Sequence, residues 1–596
     1  GVEIVETVDS IVPTVLSATI NLGTGVMTFL GSETLDARPK ELLDLTKMRL
    51  SDTSGTLGAP GASDVVLTGA SITTKENLRL TVTLTELQRS HAIAISGQPG
   101  GDGGAMVLDV FSSAVQDIGT NRNADNPANL NLVVTETPDT IPPTVTAAEL
   151  NLSTGVLIIT ADEILDATPA SKLNLNKLRL CNHTEVNLDG TVVDGASTVG
   201  CVPLDGAEVN EVDDLTITIT ITELQRSKAI AFSGTAGGDG HNMVLDVLSS
   251  GVLDIGQLGN LGNFNIPVTE HPDVVPPFLY DCFVNYGTGA VTLYASEILD
   301  LTAAVDTVDL TKLILVNETG QVPVLNPQVG TPDQSIFLNL GPPSNLATTL
   351  ASSIITEVDD TRLNVTLPEL ARSLITQYGG KVPNGDYGAT LLDSVSGAVR
   401  DVAGNLNLVT AGLTCREAQD LVLPELLNGV IDYSTGVLVM EFDEITDASP
   451  STNLDGSKIR LSNTAGDTTL GTQSPPLMGE VSISLNGATV EAQDDSPLLT
   501  LTLTELQRSM AISLSGTSGG DNVALVIDVD QGAARDVGTN LLDAKTGVVL
   551  TETADTTIPT ILSSAINYGT GVLIITSDEF IDTTPNTLVD VDQLHL

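Results

Sequence analysis

Tryptophan is absent from the 596 residues, tyrosine and phenylalanine number 7 and 9, and Lys plus Arg reach only 24 against 76 Asp plus Glu. So few aromatics leave stacking platforms for bases or sugars scarce. The net charge of −52 excludes nucleic-acid binding through phosphate attraction and argues against docking on an anionic membrane. It favours cations or basic groups as partners. No apolar run approaches the roughly 18 residues of a membrane helix, so no membrane insertion is expected in this segment. The opening Gly1-Val2-Glu3 lacks the basic and apolar regions of a secretory signal, and any targeting signal is expected outside the segment. Four cysteines are too few to staple the chain, and none falls in a CxxC pattern. The histidines (His91, His183, His241, His271, His595) occupy unrelated places, so no histidine-based acid, base or zinc site recurs. With 41% hydrophobic residues the chain is still far from a disordered acidic tail, and its length predicts several globular domains.

What the chain does have is repetition. The run from Gly23 to Asp36 (GTGVMTFLGSETLD) returns as STGVLIITADEILD from Ser153, GTGAVTLYASEILD from Gly287, STGVLVMEFDEITD from Ser434 and GTGVLIITSDEFID from Gly569. The second turn residue Gly25 recurs as Gly155, Gly289, Gly436 and Gly571, at periods of 130, 134, 147 and 135 residues. Periods of that size are whole domains. A TELQRS segment follows in the same order (Thr85, Thr222 and Thr504 at its head, Pro368 in the third copy), then two aspartates eight apart, such as Asp109 and Asp117. Each boundary carries a Glu-x-x-Asp step: Glu6/Asp9, Glu136/Asp139, Glu270/Asp273, Glu417/Asp420 and Glu552/Asp555. Pro142-Pro143 and Pro276-Pro277 mark short linkers stiffened by fixed φ. The expected organisation is residues 1–8 as the last strand of a preceding repeat, then repeats at 9–138, 139–272, 273–419 and 420–554, and a partial repeat at 555–596. The chain thus reads as an excerpt of a longer array, with a strand-swapped polymer as the alternative. The third repeat carries an insertion at 322–352, rich in proline, expected as a surface loop that contacts a partner or is simply solvated.

Alternation dominates within a repeat. Leu215 to Thr222 (LTITITIT) puts apolar residues on one face and threonines on the other, the signature of a half-buried strand. Gly-Thr-Gly between two such runs reads as a hairpin turn. Only the TELQRS segment looks helical, for a single turn, with Thr85, Thr222 and Thr504 as N-caps. Each repeat is therefore expected to be an antiparallel β-sandwich of about seven to nine strands.

The Pro-Pro-Thr-Val opening (Pro142 to Val145), the Ser-Glu-x-x-Asp step (Ser296 to Asp300) and the Asp-x-x-Gly-Asn near the end (Asp401 to Asn405) resemble bacterial-type Ig-like repeats. Such repeats occur in surface-layer proteins and in giant extracellular and cell-surface proteins of algae and other protists. Repeats one, two and four keep Asp-x-Gly in place of the longer ending. The resemblance implies an all-β tandem array of Ig-like antiparallel β-sandwich domains, extracellular or on a cell surface. The role it implies is structural, as a filament, surface layer or flagellar-hair-like appendage whose partners are copies of itself or neighbouring repeats. The alternatives are the stalk of an adhesin whose binding domain lies elsewhere, or accessory modules of an extracellular enzyme.

Catalytic readings are weak. Ser518 lies in Gly516-Thr-Ser-Gly-Gly520, a formal hydrolase match, but the equivalent loops at Gly97 and Gly234 lack the serine. Paired carboxylates such as Asp109 and Asp117, copied in every repeat without an aromatic cleft, favour loop capping or ion binding over glycoside hydrolysis. Arg89, Arg226, Arg372 and Arg508 recur where basic residues are rare. They read as partners of Glu86, Glu223, Glu369 and Glu505 three residues earlier, or as ligand-facing guanidinium groups. Asn151, Asn182, Asn317 and Asn364 begin N-x-S/T sequons, candidate glycan sites in a eukaryotic secretory host.

Cysteines occur two each in repeats two and three, which predicts disulfides Cys181–Cys201 and Cys282–Cys415 in an oxidising compartment. Chain direction predicts a cation site at each junction. A strand from the linker reaches the Gly-Thr-Gly turn at the far end, so the next strand delivers Glu33 and Asp36 back to the linker, beside Glu6, Asp9 and Asp117. The same reasoning gathers Glu136, Asp139, Glu163, Asp166 and Asp254; Glu270, Asp273, Glu297, Asp300 and Asp401; and Glu417, Asp420, Glu444, Asp447 and Asp536. All-oxygen ligation suits Ca²⁺. A recurring Arg, hydrogen bonds to linker N–H groups or plain solvation are the other means of relieving the repulsion.

Overall fold

The computed structural model describes residues 2–52, 63–73, 76–124, 130–182, 200–316, 336–337, 354–380, 388–470, 482–491 and 494–595. Repeat one sets the pattern, with strands β1 (Val15–Asn21), β2 (Val26–Leu35), β3 (Met48–Ser51), β4 (Val65–Val66), β5 (Ser71–Ile72) and β6 (Asn77–Thr83). Helix α1 (Glu86–Ala94) follows, then β7 (Val107–Val110) and β8 (Leu132–Thr137). The β1–β2 hairpin turns where Asn21 Oδ1 accepts from Thr24 N at 3.0 Å and Gly25 takes φ +66°. A side chain is strained there, so each copy of the turn keeps glycine.

The eight strands run in the order β4-β3-β7-β8-β1-β2-β6-β5. Strand β8 closes the sandwich by serving both halves. Its first residues pair antiparallel with β7 (Leu108 opposite Leu132), and its later ones pair parallel with β1 (Ala18 opposite Val134, Asn21 opposite Thr137). Alternation along β1 and β2 sends Ala18, Ile20, Met27 and Phe29 into one core with Leu50, Leu80, Val82 and Leu108. The same strand order recurs in repeats two, three and four. In the fifth, the described strands are the hairpin Ile561–Asn567 with Val572–Ser577. Residues 2–8 form no strand, and Val2 and Ile4 are exposed, whereas Val548 and Leu550 at the matching places in repeat four are buried.

The expected single helical turn is a nine-residue helix in repeats one, two and four, and the helix of repeat three runs to ten residues, Glu369–Tyr378. Ala92 and Ile93 extend it because helical spacing carries both into the core. Its start is a capping box: Thr85 Oγ1 accepts from Gln88 N, and Gln88 Oε1 accepts from Thr85 N. No helix among the described residues is long and apolar enough to cross a membrane.

The chain divides into two compact units, Gly1–Val275 with Val402–Asn405, and Pro276–Asp401 with Leu406–Leu596. The first holds repeats one and two; the second holds most of repeat three, then repeat four and the partial fifth. Of the insertion at 322–352, only Ile336–Phe337 is described, paired with Ile314 and Leu315; the rest lies outside the described residues, as do His183 and Asn317.

Cys181 and Cys201 are bonded across an antiparallel pair, and Cys282 and Cys415 across the parallel pair that corresponds to β1 and β8. The second bridge spans 133 residues, nearly the whole repeat. Replacing both Cys282 and Cys415 with Ala is expected to lower the unfolding free energy of repeat three by about 2–5 kcal/mol. Denaturant unfolding of the two proteins, beside a thiol titration showing no free cysteine in the unaltered chain, measures it.

Candidate functional site

The recurring arginine organises the junction between repeats. Arg89 sits one turn into α1, on the same face as Glu86, and its guanidinium is buried. A guanidinium has five N–H donors, and all of them are used. Nε and one Nη2 hydrogen go to the two oxygens of Glu86 at 2.7 Å each. Nη1 donates to Leu22 O at 3.0 Å and to Asp139 Oδ2 at 2.6 Å. The second Nη2 hydrogen goes to Glu163 of repeat two. One side chain therefore ties together its own helix, its own β1–β2 turn, the linker and the next repeat.

Copies of the arrangement recur. Arg372 bonds Glu369, Tyr286 O, Asp420 and Glu444, and Arg508 bonds Glu505, Tyr433 O, Asp555 and Glu579. Arg226 bonds Glu223, Leu152 O and Asp273. The helix glutamate also crosses the junction: Glu86, Glu369 and Glu505 accept from Ile164 N, Ile445 N and Phe580 N at 3.0, 2.8 and 2.8 Å. Backbones meet as well. A Cβ on Gly100 would fall 2.0 Å from Ile255 O, and Ile255 packs on the core of repeat one.

Three of the five expected acids converge, and two do not. Asp9, Glu33 and Asp117 lie together, as do Asp139, Glu163 and Asp254, and Asp420, Glu444 and Asp536, each trio offering oxygens within 4.8 Å of one another. Glu136 and its equivalents turn inward from β8, because strand alternation points them into their own repeat. Glu136 accepts from Gly97 N and Met106 N at 3.0 and 2.8 Å, and Glu270 accepts from Gly234 N and Met243 N at 2.8 and 2.5 Å. Glu417 and Glu552 accept from Thr390 N and Gly516 N, and also from the hydroxyls of Tyr286 and Tyr433. Glu6 is exposed. Asp36 accepts from Arg38 N, while Asp166, Asp300 and Asp447 pair with Lys172, Arg400 and Arg535 inside their own repeats. Glu297 and Asp401 are buried, and Asp273 pairs with Arg226.

Electrostatics follow from burial. Desolvation works against the charge on Arg89, but Glu86, Glu163 and Asp139 outweigh it and hold its pKa above the ordinary value. Burial pushes Glu163 up to about 8 against the pull of Arg89, with Asp254 and Asp139 adding to the rise. Glu444 is pushed to about 8 in the same way, with Asp536 and Asp420 beside it. Asp254 and Asp536 rise to about 6, again chiefly through burial. Buried oxygens Asp254 Oδ2 and Glu444 Oε1 have no hydrogen-bond partner.

The remaining candidates separate. Asp109 braces its own repeat, accepting from Asn131 N at 2.8 Å and pairing with Arg49, whereas Asp117 accepts from Asn121 N at 2.7 Å and faces the junction. Ser518 lies in the loop after the helix of repeat four, whose Gly520 would carry a Cβ only 2.1 Å from Ser515 O. That crowded loop is no strand-to-helix elbow. Asn151 is a turn residue whose Oδ1 accepts from Ser153 N and Thr154 N, and Asn182 Nδ2 donates to Asp239.

No family model matches the chain, and no curated protein matches it. Similar solved structures include the N-terminal part of the bacterial S-layer protein SbsC (10% identity, 36% of this chain, TM-score 0.14). The chain spans 44% of that S-layer chain. A marsupial T cell receptor (10% identity, 65% and 96% of the two chains, TM-score 0.13) and Dscam (9%, 70% and 78%, TM-score 0.13) are others. Scores this low bear on neither activity nor partners.

Arg89→Ala leaves Asp139 and Glu163 buried without their cation and is expected to cost about 3–5 kcal/mol at that junction. The readout is faster proteolysis across 138–144; Arg89→Lys recovers only part, since an ammonium lacks the planar fork. The folded pKa of Glu163 and Glu444 exceeds the ordinary 4.5, so folding takes up protons between 4.5 and about 8. Their contribution is full below that window and lost as pH rises through about 8. Melting temperature is expected to fall over this range, and Glu163→Gln with Glu444→Gln to flatten the slope.

Proposed function

We propose that this chain is a structural extracellular protein, a tandem Ig-like array stiffened at its junctions, which builds a filament, surface layer or flagellar-hair-like appendage from copies of itself or neighbouring repeats. The observation that carries the reading is the buried arginine clasp. In a loosely strung array the linker is solvated. Here the side chains of Asp139 and Glu163 are only 3% and 8% exposed. The two disulfides support an oxidising, extracellular setting. A surface carrying a net charge of −52 favours lateral partners that are basic, or cations between like surfaces.

The same stiffness serves an adhesin stalk, the alternative reading. Electron microscopy of native assemblies distinguishes them: continuous repeating rods support the filament, and single rods capped by a non-repeating head support the stalk. For the clasp itself, images of the purified chain are expected to show a narrow spread of bend angles at the repeat one to two and three to four junctions. Arg89→Ala and Arg372→Ala should broaden it. An unchanged spread rejects the clasp as the stiffening element.

Calcium is a second reading of the same trios, favoured by the unpartnered oxygens of Asp254 and Glu444. One guanidinium does not balance the carboxylates around it, so a cation and a proton compete for the remainder. Asp139, Glu163 and Asp254, and Asp420, Glu444 and Asp536, are the residues that would hold it. Melting and linker proteolysis with added Ca²⁺ and with chelator decide the matter, and identical curves reject it.

A further inference from the structure

The sparse aromatics are not evenly spread. Four of them, Phe278, Tyr280, Phe283 and Tyr294, lie on the two adjacent strands Leu279–Asn285 and Ala290–Leu299 of repeat three or at their margin. Tyr280 packs edgewise on Phe278 and tilted on Tyr294, with ring centroids 6.4 Å apart in each case. Arg362 lies over Tyr294 at 5.4 Å. Arg416, pinned by Asp281 at 2.7 Å, lies over both Phe283 and Tyr294. Phe278 and Tyr280 are about half exposed.

Among the described residues, the matching strands of repeats one, two and four lack this face. Register places Tyr294 where repeats one, two and four have Leu30, Thr160 and Glu441, and Phe283 where they have Thr19, Glu149 and Val430. Arg416 stands where they have Thr135, Thr269 and Thr551.

A further departure lies on the same face. Asn364 is opposite Thr292 on the strand Asp360–Thr366, where the other repeats have Thr81, Thr218 and Thr500. Asparagine is disfavoured in a strand, and threonine favoured, so strand stability does not account for the exchange. Asn364 with Thr366 forms a sequon, and both are exposed. Thr292 Oγ1 donates to Asn364 Oδ1 at 2.9 Å, which leaves Nδ2, the atom that takes a sugar, without a hydrogen bond. The asparagines of two other sequons are engaged, Asn182 through its Nδ2, which donates to Asp239, and Asn151 through its turn. Asn151 matches Asn21, Asn285 and Asp432 at the same turn, and its Ser153 hydroxyl is bonded to Pro272 O and Val274 N.

We propose that Asn364 carries an N-linked glycan whose first sugars lie across the aromatic row of Tyr294, Tyr280 and Phe278. The row begins diagonally across from Asn364, and the strand that bears Tyr280 is two strand spacings away, about 10 Å, within reach of the first few sugars. The C–H bonds on one face of a pyranose are weakly positive and pack on the negative face of a ring, while Arg362 offers donors to sugar hydroxyls. Attachment forms the bond from Asn364 Nδ2 to C1 of the first sugar and breaks the C1–O bond to a lipid-linked oligosaccharide pyrophosphate. The lipid pyrophosphate leaves with the bonding pair, and the amide proton passes to the base of the host transferase.

The test uses the whole chain secreted from a eukaryotic cell. Peptide mapping after amidase release in heavy-oxygen water is expected to show Asn364 converted to labelled Asp, and an unmodified Asn364 overturns the proposal. On the folded protein, release of the glycan is then compared with that from Tyr294→Thr with Tyr280→Thr, the residues of repeat two at those places. Release about three- to tenfold faster from the variant, the factor a ring contact contributes, supports packing on the row; equal rates overturn it. Saturable binding of a free oligosaccharide by chain made without glycan, with Asn364 bare in the secreted protein, assigns the face to another molecule's sugar and overturns it too.

Discussion

In repeats one, three and four a single guanidinium with every N–H taken is the constraint on which the arrangement against the following repeat depends. Its acceptors come from the helix, the first hairpin turn, the linker and the following repeat. They can meet only if those elements already hold their places. Helix capping by Thr85 and Gln88 fixes where Arg89 points, and the sandwich fixes where Leu22 and Glu163 lie. Taken alone, such a charge cluster is a poor source of stability, since desolvation offsets much of the Coulomb gain. What it supplies is geometry. A neutral apolar patch tolerates sliding, whereas a guanidinium held by three bonds in its own repeat directs the other two at the linker Asp139 and at Glu163 of the next repeat, and so favours one orientation.

Much of this was legible in the residues. Period-two alternation gave the strands, the Gly-Thr-Gly turns gave the hairpins, and cysteine parity gave partners that the fold brings into register. The junction was legible in part. Chain direction correctly brought Glu33 and Asp117 to the linker, but it treated every recurring acid as equal. Glu136 lies on β8, and its strand parity sends it inward to cap Gly97 N and Met106 N. A recurring Arg stood among the means of relieving the repulsion at the junction, and Arg89 takes that place on Asp139 and Glu163. Which arginine and which acids meet was hidden by a local explanation at Arg89. Glu86 three residues earlier accounts for its charge so well that nothing demands a second partner. The missing signal was the match in order: each TELQRS arginine is followed by one linker Asp and then by one hairpin Glu.

Departures from the repeat carry different information from the repeat itself. The recurring turn and clasp positions explain how a unit folds and joins; the turn glycine is found in all five copies and the arginine in repeats one to four. Tyr294, Phe283, Arg416 and Asn364 are not needed for the sandwich, because threonine stands at many of the same places in the other copies. Their gathering on one sheet face sets repeat three apart from repeats one, two and four.

The parallel pairing of the first and last strands determines how a pulled repeat responds. Tension enters at the start of β1 and leaves at the end of β8, so it runs lengthwise along their shared ladder, and the bonds from Ala18–Val134 to Asn21–Thr137 resist together in shear. They cannot be peeled apart one at a time. Most of the sandwich is bypassed by the load. In repeat three the covalent bond between Cys282 and Cys415 lies on that same line of force. Tension there passes through sulfur from one strand to the other, and the intervening chain cannot be drawn out while the bridge is intact.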